Sequence, residues 1–183
     1  MIQPFPIITI PADAAEATEA IGTKFKFWFH HPELGYCLYK QARPNTGEDW
    51  AEKIASELCA LLGLPYARIE LASWNKAGGT VSPSFLPNGG SLILGNEILG
   101  PMVPDYPQFQ AFNVSQHTLD IVLTAISNSG INLPLDWIPP EGIQTAVATF
   151  VGYLLLDAWI GNSDRHHENW GFIETPRTPE TPK

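Results

Sequence analysis

Polar and aromatic side chains alternate along Lys24-Phe25-Lys26-Phe27-Trp28-Phe29, the period of a strand with one face toward a core. Pro32 to Gly35 supplies a turn, and Tyr36-Cys37-Leu38-Tyr39-Lys40 reads as the returning strand, so the pattern predicts a hairpin with Lys40 near its end. Gly47 to Leu62 then carries helical spacing: Trp50, Ile54, Leu58 and Leu61 form one stripe, which Ala51, Ala55, Cys59 and Leu62 widen. Gly63 and Pro65 end it. Glu52 and Glu57 fall on opposite edges of that apolar sector, and the helical wheel leaves open which of them meets a cation.

Short strands are predicted over 66–73, 79–86 and 91–94, joined by Asn/Gly turns. After a break at Pro101, Pro104 and Pro107 the pattern turns helical, first over 115–127 and then over 143–160, where Ile143, Val147, Phe150, Val151, Leu154 and Ala158 recur on one side. A strand-rich first half and a helix-rich second half make an α+β chain with a two-lobed order. Four regions are expected: an N-terminal arm over 1–22, extended or a short helix; a first lobe over 23–100; a helical lobe over 101–173; and a Pro/Thr-rich tail over 174–183 without periodicity.

Composition narrows the partners. A net charge of -9 argues against a broad nucleic-acid surface or an anionic membrane, so any phosphate site must be local. Two cysteines, Cys37 and Cys59, without metal-ligand spacing argue against a disulfide scaffold or structural zinc, and a reducing cytoplasm is expected. Neither His30-His31 nor His166-His167 has the spacing of a helical metalloprotease site. No leader pattern or membrane span is expected.

Candidate chemistry concentrates in Gly161-Asn162-Ser163-Asp164-Arg165-His166-His167-Glu168-Asn169-Trp170, which leaves the apolar 143–160 run at a helix-stopping glycine. An Asp and an Asn five residues apart suit phosphoryl transfer to a hydroxyl, in which the Asp takes or orients the hydroxyl proton and the Asn meets a magnesium ion on the nucleotide phosphates. Asp164 and Asn169 have that spacing. The kinase template also orders its parts as strand lysine, helix acid and catalytic loop, the order of Lys40, Glu52 or Glu57, and Asp164 here. Arg165 is positioned to neutralise transferring phosphate or to pair with Asp157 or Glu168.

The segments Leu38-Tyr39-Lys40, Trp50-Ala51-Glu52 through Leu61-Leu62-Gly63-Leu64-Pro65, and Leu156-Asp157-Ala158-Trp159-Ile160-Gly161-Asn162-Ser163-Asp164-Arg165-His166 through Asn169 resemble the HipA-like kinase family, most specifically in the loop. The Asp-Arg-His-x-x-Asn form is also distantly similar to phosphoinositide-kinase loops. The resemblance spans most of residues 25–173 and implies a protein-kinase-like two-lobed fold using ATP and Mg2+. By it Lys40 binds nucleotide, Glu52 is the helix acid, Asp164 is the catalytic base, Asn162 and His166 shape the loop, and Asn169 is a magnesium ligand. It further implies a Ser/Thr hydroxyl acceptor on a protein substrate, and a possible antitoxin-like partner.

Two features depart from that family. His30 to Gly35 holds one glycine and so makes no phosphate cradle, and a second metal-binding Asp is expected on a strand beyond Asn169, where the only acids are Glu174 and Glu180. The chain therefore reads as a kinase truncated at its C-terminus and catalytically impaired, with self-association expected through the incomplete lobe. Ser91 to Leu99, an apolar run and a polar break, is the expected adenine-binding hinge. The alternatives are a non-catalytic module that binds nucleotide or a protein partner, and a lipid or small-molecule kinase, which the missing basic patch disfavours.

Overall fold

Residues 4–18, 24–110, 112–128 and 130–176 are described by a computed structural model, in which the chain divides into two units, Met1–Phe85 and Leu86–Lys183. The elements of the first are β1 (Ile7–Ile10), β2 (Ala17–Thr18), β3 (Lys26–His31), β4 (Gly35–Gln41), α1 (Glu48–Leu61), β5 (Glu70–Trp74) and β6 (Ala77–Pro83). The six strands form one sheet in the order β1-β5-β6-β4-β3-β2. The residues expected as an arm contribute two of them: β1 runs parallel to β5, and β2 pairs antiparallel with β3. Ile7 to Ile10 is a β-branched run between the flanking prolines, and Ile10 reaches the core, which suits an edge strand.

The aromatic alternation works as expected. Phe27 and Phe29 of β3 meet Tyr39 and Cys37 of β4, and Val81 of β6 lies beyond Tyr39, so one face of the sheet closes into a core. Lys40 follows Tyr39 and therefore projects to the opposite face, opposite Lys26 on one side and Thr80 on the other.

Helix α1 is correctly placed but turned. Its buried residues are Lys53, Ser56 and Cys59, while Trp50, Ile54 and Leu61 of the expected core stripe are exposed by 58%, 42% and 80%. The reason is what lies beneath it. Ser56 Oγ donates to the Ala67 carbonyl, and the Lys53 ammonium bridges Glu57 (2.6 Å) and Glu70 (2.9 Å), so the face toward the sheet is polar and paired. Burial pulls the Lys53 ammonium down, but these two carboxylates outweigh it and hold it charged above the usual lysine range.

The second unit contains β7 (Ser91–Leu94), α2 (Gly95–Met102), α3 (Leu119–Ile126), α4 (Ala146–Ile160) and β8 (Gly171–Glu174). Leu99, Tyr106, Val122, Ala125, Ile126, Phe150 and Trp170 form its core. Thr118 and Thr145 cap α3 and α4 by accepting from the Ile121 and Ala148 amides. Ser91 to Leu99 is not an open connection: its first part is β7, hydrogen-bonded to β8, and its second begins α2. The chain passes between units at Phe85 and Leu86, so residues 86–100 fold with the second. Helix α4 is apolar around its circumference, and Val151, Leu155 and Trp159 form an exposed stripe. No helix among the described residues is long and apolar enough to cross a membrane. Residues 177–183 of the expected tail, Glu180 included, lie outside the described residues.

Candidate active site

In the first unit, β4 delivers Lys40 and α1 delivers Glu52 to one point, with Lys40 Nζ 2.8 Å from Glu52 Oε1. Thr80 donates to the other carboxylate oxygen at 3.2 Å, because Thr80 is the register partner of Lys40 on β6. Lys24 joins from before β3, 3.4 Å from Glu52 and 3.2 Å from Glu48. Glu57, the other acid left open by the helical wheel, pairs with Lys53 instead. The result is a partly exposed cluster in which two ammonium groups meet two carboxylates on the α1 face of the sheet. The turn at Pro32 to Leu34 lies at the far end of the hairpin, since Lys40 pairs with Lys26 while His31 pairs with Gly35. Five residues of strand, about 17 Å, separate it from the lysine.

In the second unit the candidate loop begins where α4 ends. Gly161 adopts the left-handed conformation (φ 69°), which a side chain would resist, and reverses the chain. Asp157, one turn back on α4 and 7% exposed, organises the loop from beneath. Its carboxylate accepts from Arg165 Nε (2.6 Å) and Nη2 (2.7 Å) and from Asn162 Nδ2 (2.8 Å). Burial raises this carboxyl, but the Arg165 and Asn162 hydrogen bonds outweigh burial and hold it below the usual aspartate range. Arg165 is thus the anchor of the loop, pairing with Asp157 and reaching the Asn169 carbonyl at 3.1 Å.

The remaining loop residues lock to one another. Asn162 Oδ1 accepts from the Asp164 amide at 3.1 Å, and Asn169 Nδ2 donates to the Asp164 carbonyl at 2.6 Å, so the backbone of Asp164 is held on both sides. Its carboxylate stays free toward solvent, 73% exposed. His166 Nδ1 accepts from the Glu168 amide, which turns Nε2 toward Asp164, 3.6 Å from its Oδ1. Asn162, Asp164, His166 and Asn169 therefore share one loop geometry.

Four residues that the linear pattern did not single out fix this loop to its unit. The first amides of α2, which have no partner within the helix, donate to loop carbonyls: Gly95 to Trp170 at 2.8 Å and Asn96 to His167 at 3.0 Å. A side chain at Gly95 would collide with the Trp170 ring, so this approach needs glycine. His167, 1% exposed, bonds through Nδ1 to the Tyr106 hydroxyl at 2.9 Å, and Trp170 Nε1 donates to His117 Nε2 at 3.0 Å. Burial holds both His117 and His167 below the usual histidine range, as neutral imidazoles. A cavity of about 270 Å³ beside the loop is lined by Asn113, His117, Ser163, Arg165, His166 and His167. A larger cleft of about 660 Å³ between the end of α3 and the start of α4 contains no titratable side chain.

Among the described residues no group of three His, Cys, Asp or Glu side chains could hold a metal ion. Asn169, whose amide nitrogen is engaged by the Asp164 carbonyl, would offer Oδ1 to a hard cation held mainly by phosphate oxygens and water. Glu174, on the strand after the loop, accepts from Ser91 Oγ at 3.2 Å.

No family model and no curated protein matches the chain. Among solved structures it is similar to the Helicobacter pylori proinflammatory kinase CtkA, with a TM-score of 0.70, 19% identity, and 92% of this chain aligned to 55% of that one. The chain has a protein-kinase-like fold. It spans about half the length of that kinase. In a protein-kinase-like fold a strand lysine paired with a helix acid, and a separate loop bearing Asp and Asn, are the parts that position phosphates and a hydroxyl.

Proposed function

We propose that the chain is the ATP- and magnesium-binding part of a HipA-like phosphotransferase that acts on a Ser/Thr hydroxyl of a protein. The observation that carries this reading is the 2.8 Å Lys40–Glu52 ion pair, in the strand and helix positions where a kinase holds its nucleotide lysine. Lys40 neutralises nucleotide phosphates, and Glu52 fixes the ammonium in place. Asp164 accepts the proton of the acceptor hydroxyl, and His166 steadies its carboxylate from 3.6 Å. Asn162 keeps the Asp164 backbone in position, and Asn169 would offer Oδ1 to a magnesium ion, which would supply charge stabilisation at the phosphates. Catalysis is then mainly positioning.

Calorimetric titration of this chain with Mg·ATP, repeated on Lys40→Ala, tests the reading. Saturable binding that weakens at least about tenfold in the variant is expected, in line with loss of a charge-assisted contact. Absence of saturable binding by the unaltered chain would overturn it. In a longer form, Asp164→Asn should lose nearly all phosphotransferase activity.

A second reading, a module that binds nucleotide or an antitoxin-like partner without catalysis, is favoured by the sparse oxygen set. The acid on the strand after the loop, Glu174, is bonded to Ser91 rather than beside Asn169. Turnover of ATP onto a protein acceptor by the 183-residue chain would eliminate it.

A further inference from the structure

Tyr106 to His117 joins α2 to α3 and runs past the candidate catalytic loop. Two aromatic side chains on it face solvent, Phe109 (94% exposed) and Phe112 (68% exposed). Exposed aromatics three residues apart on an irregular segment cost solubility, and each is a strong contact residue for a partner. The placement of Phe112 is specific. The Phe112 ring packs against His166, centroids 5.7 Å apart, and His166 Nε2 lies 3.6 Å from Asp164 Oδ1. Phe112 is thus within about 10 Å of the carboxylate, a reach that two to four residues of extended peptide, at ~3.3 Å each, would cover.

The segment is braced. Asn96 Nδ2 donates to the Gln108 carbonyl at 3.1 Å, and Gln110 closes a turn onto the Pro107 carbonyl. The Gln110 side chain donates to the Phe112 and Asn113 carbonyls at 2.7 and 3.3 Å. Tyr106 is tied to His167 and His117 to Trp170, so both ends are fastened to the catalytic loop itself. An aromatic pair held this way is presented in advance, which lowers the ordering cost of binding. Charge points the same way: Asp164 and Glu168 lie on the loop beside His166, and the loop's cation, Arg165, is occupied by Asp157.

We infer that Phe109 and Phe112 form an acceptor-docking shelf, and that the acceptor is a polypeptide with a large apolar side chain two to four residues from its phosphorylated hydroxyl and a basic residue nearby. The inference rests on the phosphotransferase reading and names its substrate class. A sugar acceptor has no large apolar group to place there, and a nucleotide acceptor, although its base could stack on Phe112, would bring anionic phosphates against Asp164 and Glu168. An anionic lipid headgroup would meet acidic side chains.

The test uses fluorescein-labelled nine-residue peptides with a central Ser in an Ala/Lys background, with one Phe moved through each flanking position. Anisotropy is read on the full chain with Mg·ATP present. Peptides with Phe two to four residues from Ser should bind at least about tenfold more tightly than the Phe-free peptide. Phe112→Ala should remove at least about fivefold of that preference, and Phe112→Leu should restore part of it, with circular dichroism reporting that each variant is folded. Equal affinity for all peptides, or a preference that survives in Phe109→Ala/Phe112→Ala, would overturn the shelf. So would Phe112-dependent binding to phosphatidylinositol vesicles at the expense of the peptides. Calorimetry with Mg·ATP on the unaltered chain separates the two layers: nucleotide binding without peptide preference sinks the shelf alone, whereas peptide preference without nucleotide binding sinks the kinase reading.

Discussion

The two candidate clusters are built on opposite principles. Around Lys40 the charges are many, partly hydrated and redundant: Lys40, Lys24, Glu52 and Glu48 are 33%, 22%, 26% and 21% exposed, and two ammonium groups share Glu52. Around Asp164 one buried carboxylate, Asp157, holds Arg165 and Asn162 at once, and neutral histidines supply the other contacts. The first can lose a member and keep its shape. In the second the charged contacts converge on a single side chain, and the Asp164 carboxylate stays exposed while its backbone is held.

The largest effect expected from this difference is that of Asp157→Ala. Removing it leaves a guanidinium and an amide without their acceptor, a loss of about 2–3 kcal/mol once the partial exposure of Arg165 is allowed for. Urea denaturation measures this, and a cost below that of Lys40→Ala would dissolve the contrast.

Acid comes next. His117 and His167 sit below their ordinary value of 6.5, so the folded state binds fewer protons than the unfolded chain. Their contribution is complete above about pH 6.5 and is lost as the pH falls toward the lowered folded values. Asp157, below its ordinary 3.8, contributes in the same direction and is lost only in stronger acid. The melting temperature should therefore fall between pH 7.5 and pH 5, and Trp170→Phe, which removes the donor to His117, should lower it by about 1 kcal/mol equivalent at neutral pH. A flat profile would mean that the imidazoles do not hold the loop.

The smallest effect is the stability change in Lys40→Ala, under about 1 kcal/mol, because Lys24 remains on Glu52 and the pair is partly hydrated. Adding Lys24→Ala should cost more than the sum of the single changes. Additive losses in a double-mutant cycle would show that the two lysines are not sharing one carboxylate.

Much of this architecture is legible in the chain. The hairpin, α1, α3, α4 and the glycine stop before Asn162 come from period and punctuation, which are local. The orientation of α1 does not, because a helical wheel shows which residues are apolar and not what the sheet beneath offers. There the ion pair at Lys53 and the Lys40–Glu52 contact turn the polar side inward and leave Trp50, Ile54 and Leu61 outside. The 1–22 segment escapes the linear pattern for a related reason. Two edge strands of four and two residues acquire meaning only from the partners β5 and β3.

The sequence by itself determined the two-part α+β order, the candidate residues for a phosphate and a hydroxyl, and the spacing of Asp164 and Asn169, since each is set by neighbours along the chain. Tertiary structure alone decided that Lys40 meets Glu52 rather than Glu57, that Arg165 serves Asp157, and that Tyr106, His117 and the amides of α2 secure the loop. These contacts join residues far apart in the chain. Which of several chemically equivalent partners lies within hydrogen-bond reach is a matter of packing, to which composition and periodicity are blind.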